Sequence, residues 1–340
     1  MSFYLEHAGH FGQIENELRK QIMNYDFPLY RLMAYHMGWV DSNGEAISES
    51  RSLESDRIRS LLCLLACEGV CGRFEMALPS AAAVELLHNF SLIHDDIRAG
   101  VPERDYKSTV WWEWGPAQAI NAGDGMHALA RLALLAQPEG QSDPVRVLKS
   151  VHMLDQACLR LCEGQYLDLT YQERVDVTPD AYFRMVEGKS GALMECAAAL
   201  GAMAATDEMS TINALSNFGL KLGVATQIRQ DITDIWRLPD SDGSPSTDIL
   251  NKKKLLPVIY ALQNATGPQK HTLGDIYFKR VMEPDDLGLL VEVLETLGAK
   301  DYAQEKIEIL MSEALEALES ANLTDHGKHN LEMLAGAILA

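Results

Sequence analysis

Asp95 and Asp96 end an apolar stretch that begins near Ala81, and a second polar group, Gln227, Gln230, Asp231 and Asp234, lies inside another apolar stretch that runs to Trp236. On a helix, positions 227, 231 and 234 share a face, as do 230 and 234, so several oxygen donors can point one way. Acidic pairs more often mark a solvated helix end or a salt bridge. Within apolar helices, however, an unpaired carboxylate is costly to bury. Hard oxygen ligands from two helices suit magnesium, which keeps part of its water and shares phosphate oxygens. The chemistry suggested is a magnesium-diphosphate clamp with Asp95, Asp96, Gln230, Asp231 and Asp234 as candidate ligands.

Apolar residues recur every three or four positions, and alternating β-branched runs are nearly absent, which predicts an all-α fold. Proline after a capping residue marks helix starts at Asp143-Pro144, Thr178-Pro179 and Glu283-Pro284. The pattern predicts helices over roughly 12–38, 57–73, 78–98, 115–136, 144–172, 179–204, 208–237 and 252–264, with shorter ones to the end. The segment 238–247, rich in Asp, Ser, Pro and Gly, reads as a loop.

The chain has 340 residues, is 47% hydrophobic, and shows no composition break, so one domain spanning 1–340 is expected. Its net charge of -20 argues against nucleic acid or an anionic membrane as partner. No basic start followed by an apolar core lies in Met1–Arg19, and no apolar run approaches the roughly 18–20 residues that span a bilayer, so a cytoplasmic protein is expected. Cys63, Cys67, Cys71, Cys158, Cys162 and Cys196 include pairs spaced by four, which stack thiols on a helix face rather than closing a zinc tetrahedron. They read as core thiols. Trp111, Trp112, Trp114, Tyr166 and Tyr171 could shield a carbocation with their π faces, though core packing is the commoner role for each.

Several segments resemble the trans-isoprenyl diphosphate synthases, or polyprenyl synthetases: Arg57-Ile-Arg59, Leu87 to Asp96, Asn121 to Asp124, Glu163-Gly-Gln165, Glu187 to Ala192, Gln227 to Asp234, and Lys252 to Ala261. They occur in the family's order from about Asp56 to Leu262. The resemblance implies an isoprenoid synthase fold in which two aspartate-rich motifs hold up to three magnesium ions and an allylic diphosphate, whose departure leaves a carbocation. It implies catalytic roles for Asp95, Asp96, Asp231 and Lys189, substrate contacts from Arg104, Lys189, Gln227, Lys253, Arg57 and His88, a cavity floor at Phe90 suited to about fifteen to twenty carbons, and a homodimer.

The sequence departs from the family pattern in places. Asp56 occupies a lysine position and Asp105 an arginine position of the pocket that the family uses for isopentenyl diphosphate, leaving Arg57 and His88. Ala99 replaces the last Asp of the first metal motif, and Gln230 the first Asp of the second. An amide-Asp pair begins the NSE motif of class I terpene synthases, although Leu238 stands where that motif has Glu. Two anions in place of two cations would oppose a second diphosphate by about a kcal/mol or more per contact. The leading expectation is therefore a class I terpene synthase that ionises one allylic diphosphate and cyclises or quenches the cation, formally a lyase. The alternatives are an elongating farnesyl or geranylgeranyl diphosphate synthase, which would also draw on Arg59, and a regulatory subunit of a heteromeric synthase.

Overall fold

The computed structural model describes residues 3–47, 57–104, 107–136, 143–236, 247–279 and 282–339. Asp56, Asp105 and Leu238 lie outside these, as does most of the 238–247 loop. The all-α expectation holds: among the described residues the strands are confined to a hairpin pairing Glu103–Arg104 with Lys107–Ser108, besides an isolated Val40–Ala46 bridge.

The proline starts are realised. Helix Pro144–Gln172 follows Asp143, whose carboxylate accepts from the Val145 N–H at 3.0 Å. Helix Pro179–Val186 is capped by Thr178, whose hydroxyl accepts from Ala181 N–H. Helix Pro284–Thr296 starts from a reciprocal capping box between Glu283 and Asp286.

Two expected spans are corrected. The 12–38 segment is two helices, Ala8–Ile22 and Pro28–His36, because Phe27 precedes a proline and adopts an extended conformation. The 252–264 helix begins only at Leu256, since Lys252 takes a left-handed φ of 56°.

The chain forms two compact units. The first comprises Met1–Cys158, Cys196–Ser216 and Ser320–Ala337. Its core helix, Ile58–Cys71, buries Leu61, Leu62, Leu64 and Leu65, each worth about 1.5–3 kcal/mol relative to exposure. Beside it runs Leu78–Ala99. The stretch Glu75–Ala99 is long and apolar enough to cross a membrane, but its apolar part is mostly buried inside the protein, as that of a core helix would be.

The second unit comprises Leu159–Glu195, Asn217–Glu319 and Ile338–Ala340. One cluster, with Tyr171, Tyr182, Ile228, Ile232, Leu256 and Ile307, binds the helices that carry the second polar group. Another, with Ile235, Leu273, Leu290 and Leu294, packs the helices after Leu256.

The cysteines divide. Cys63, Cys67, Cys158 and Cys196 are buried as expected, Cys71 is partly buried, and Cys162 is exposed, which corrects the core reading for that thiol. Burial raises the Cys63 and Cys67 thiols far above the ordinary range.

Candidate functional site

In the first unit, Leu78–Ala99 presents Glu85, His88, Asn89, Phe90, Asp95 and Asp96. Asp95 accepts from Arg98 one turn on. Buried Asp96 accepts from Arg104 through Nε at 3.0 Å and Nη2 at 2.5 Å, a two-point charge-assisted contact that the hairpin delivers. Phe90 packs against the rings of His94 and His127, with centroids 4.9 and 5.1 Å away.

The two neighbouring arginines separate in role. Arg57 is 4% exposed, with Nη1 3.4 Å from Oε1 of Glu85 and Nη2 3.6 Å from Oε2 of Glu15. Glu85 also accepts from Ser60 at 2.6 Å and from Asn89 at 3.1 Å. Arg57 thus faces a buried carboxylate, while its Nε and Nη2 are buried without a hydrogen-bond partner. Arg59, two residues on, donates from Nη1 to Nε2 of His88 at 3.2 Å, and its Nε–H is buried without a partner.

The surroundings of His88 are electropositive. Burial holds its pKa well below the usual value, and Arg59, Arg57, His36 and Arg104 push it further down. His36, bonded to Asn89 at 3.0 Å, is pushed down to about 3 by burial and then by Lys107 and Arg104. Both imidazoles are therefore neutral, and Nε2 of His88 is an acceptor because arginine can only donate. Lys107 donates to the carbonyls of Tyr35 at 2.6 Å and His36 at 3.1 Å. It stands two residues after Asp105 and was not singled out from the sequence.

In the second unit, Gly164 and Gly188 let two helices touch: a Cβ on Gly188 would lie 2.7 Å from the Arg160 carbonyl oxygen. A π turn over Glu187–Gly191 follows, a distortion frequent at functional sites, and it aims Lys189 at Asp168, with Nζ to Oδ2 at 2.7 Å. Ser190 donates to Gln227 Oε1 at 2.6 Å, and Gln227 donates to Asp231 Oδ1 at 3.0 Å. Asp231 Oδ2 accepts from the Tyr182 hydroxyl at 2.6 Å and from Leu256 N–H at 2.9 Å. Gln230 donates to Asp234 Oδ1 at 2.9 Å. Lys253 lies in the irregular segment before Leu256.

Asp231, 1% exposed, is pushed up to about 6 by burial, against the pull of Tyr182, Gln227, Leu256 and Lys189. Both its oxygens accept from protein donors, and a metal bound there would have to share or displace them. Among the described residues no group of three or more His, Cys, Asp or Glu side chains converges as a complete metal site. Asp95 and Asp96 in the first unit, and Gln230, Asp231 and Asp234 in the second, carry hard oxygen donors of the kind magnesium takes, with water and substrate phosphate filling the rest of its shell.

The aromatic expectations also divide. Tyr166 is 70% and Trp112 61% exposed, whereas Tyr171 is in the core. Trp111 donates to the Val101 carbonyl at 2.7 Å, and Trp114 packs edge-on against Tyr35.

Comparison with known proteins gives a consistent result. The polyprenyl synthetase family model matches residues 44–294. A geranylgeranyl diphosphate synthase of Mycobacterium tuberculosis is 33% identical over 305 residues, covering 89% of this chain and 85% of the relative. A (2E,6E)-farnesyl diphosphate synthase of Mycobacterium bovis is 30% identical, covering 95% and 89%. Among solved structures, a geranylgeranyl pyrophosphate synthetase from Pyrococcus horikoshii superimposes with a TM-score of 0.86 at 30% identity, covering 99% of this chain and 98% of that one. A polyprenyl synthetase from Streptomyces coelicolor gives the same score and identity, covering 97% of each chain.

These relatives overturn the cyclising, lyase expectation, since they are named as synthases of prenyl diphosphates. The physical reason is local. The charge argument rested on Asp56 and Asp105, whereas Arg57, Arg59, Arg104 and Lys107 are cations that act on His36 or His88. The chain belongs to the polyprenyl synthetase family.

Proposed function

We propose that this protein is a magnesium-dependent trans-prenyltransferase that elongates an allylic diphosphate with isopentenyl diphosphate, giving a product of farnesyl or geranylgeranyl length. The observation that carries the reading is the contact of Arg59 with His88 inside an electropositive environment, which suits a second diphosphate despite the two aspartates nearby in sequence. In this reading Arg59 uses its unpaired Nε–H on that anion, and neutral His88 orients the guanidinium.

Lys189, Lys253 and Arg104 balance the allylic diphosphate, with Arg104 exchanging Asp96 for phosphate oxygen. Magnesium held by Asp95, Asp96, Asp234 and the Gln230 amide oxygen would supply positive charge to the leaving group. Gln227 is fixed between Ser190 and Asp231 and so presents its amide without a rotamer search. Phe90, wedged by His94 and His127, limits the growing chain.

The two compact units act as one isoprenoid synthase domain, because the family model runs through segments of both. The protein works as a homodimer through the face bearing Leu148, Leu159 and Tyr166, all large and exposed.

The test is incubation of purified protein and magnesium with geranyl, farnesyl or geranylgeranyl diphosphate, each with and without isopentenyl diphosphate. Longer diphosphates formed only when isopentenyl diphosphate is present are expected. Release of diphosphate from a single primer to hydrocarbon or alcohol, or silence in every tube, would overturn the proposal.

A further inference from the structure

Three successive lysines, Lys252, Lys253 and Lys254, precede helix Leu256–Asn264, and the outer two turn their ammonium groups onto main-chain carbonyls. Lys254 is 2% exposed; its Nζ donates to Gln172 O at 2.8 Å and Lys252 O at 3.0 Å and lies 4.7 Å from the centre of the Tyr277 ring. Lys252 Nζ donates to Tyr277 O at 3.2 Å and also to Lys279 O. Its backbone is left-handed, at φ 56°, a conformation that costs a residue with a Cβ about a kcal/mol and persists only when its surroundings enforce it. The next ordered contact is Leu256 N–H on Asp231. The segment is thus held on both sides of Lys253.

Burying an ammonium is expensive, and a salt bridge or neutral residue would serve packing better. Carbonyls at the end of helix Pro144–Gln172 carry partial negative charge, which explains why a cation is tolerated there. We infer that Lys252 and Lys254 are positioning residues, two struts that fix the backbone so that Lys253 is presented to the allylic diphosphate. This rests on the proposed function, in which Lys253 contacts that group. Loss of hydration, then the charge of Lys252, lowers Lys254 to about 8, in keeping with an ammonium held in place by geometry. Lys252 and the un-ionised Tyr277 phenol are the titratable groups facing it.

The experiment uses full-length protein and inorganic pyrophosphate with magnesium, its Kd read by calorimetry, which needs no turnover. Lys254→Met keeps the aliphatic stem and Lys252→Gly suits the left-handed backbone, so both variants fold. Each is expected to weaken pyrophosphate about tenfold, the scale of coupled neighbours. Combined with Lys253→Met, neither should weaken it further, because the struts act through Lys253. With geranyl diphosphate as primer, KM should rise while kcat stays within about twofold. Unchanged Kd in the strut variants, losses that multiply with that of Lys253→Met, or a Lys253→Met protein that binds like wild type would each overturn the inference. Elongation failing while pyrophosphate binding behaves as described would overturn only the proposed function.

Discussion

Arg59 donates to His88 across 3.2 Å, while Arg57, two residues earlier, points its guanidinium at Glu85. Opposite consequences follow for the two arginines. Arg59→Met should raise KM for isopentenyl diphosphate by about tenfold to a hundredfold, the worth of a charge-assisted hydrogen bond, with little change in KM for the allylic primer. Arg57→Met should leave Glu85 uncompensated and cost about 3–5 kcal/mol of stability. Adding Glu85→Gln should restore much of it. Steady-state kinetics and urea unfolding measure the two effects; equal kinetic losses in both variants would remove the distinction.

His36 should make the protein acid-sensitive. Its pKa is pushed down to about 3 in the fold, against about 6.5 for an ordinary imidazole, so between those values the unfolded chain binds the extra proton. Stability is therefore complete above about pH 6.5 and falls as pH drops toward 3, and His88 acts in the same direction. His36→Gln retains an amide for Asn89 and has no proton to gain. Urea unfolding at pH 7 and pH 5 should show a smaller loss in the variant, and identical losses would exclude the histidine as the source.

How far the sequence could be read depended on which interactions are local. Helix Pro144–Gln172 was legible to the residue because the Asp143-Pro144 start and the apolar spacing agree. The break at Phe27 was also written locally, in Pro28, but the apolar period on both sides obscured it. The late start at Leu256 was not local: Lys252 is held left-handed by carbonyls of Tyr277 and Lys279. The polar positions Asp95, Asp96, Gln227 and Asp231 were found by residue type. The contacts of Arg57 with Glu85 and of Asp231 with Tyr182 were not legible, since those partners lie 28 and 49 residues away. Charge counted along the chain from Asp56 and Asp105 missed Lys107, because electrostatics sums over space, where Lys107 acts on His36.

The exposed stripe on helix Pro144–Gln172 should be covered by a second copy. Leu148, Leu159 and Tyr166 follow one another at helical spacing, and each is more than half exposed. A Leu159→Asp substitution would bury a charge at such an interface, so sedimentation of wild type should report a dimer and that of the variant a monomer with an unchanged helical spectrum. The same sedimentation coefficient for both proteins would remove this face from consideration. Alkylation of Cys162, one turn from Leu159, gives an independent reading, since it should speed up when the dimer is broken.

Asp231 should prove more important for shape than for metal. Its two oxygens accept from Tyr182, Gln227 and Leu256, and the last contact ties the acidic helix to the segment carrying Lys253. Tyr182→Phe removes one donor and should cost about 1 kcal/mol, leaving the carboxylate with two. Asp231→Asn presents one oxygen where three donors converge and turns an N–H toward one of them, so it should cost more, about 1–3 kcal/mol. The kinetic outcome separates the roles. If Asp231 positions Gln227 and Lys253, both variants raise KM for the allylic diphosphate in step with their loss of stability, while the magnesium concentration for half-maximal rate stays near that of wild type. A ligand role predicts the reverse for Asp231→Asn, a large shift in magnesium requirement that Tyr182→Phe does not share.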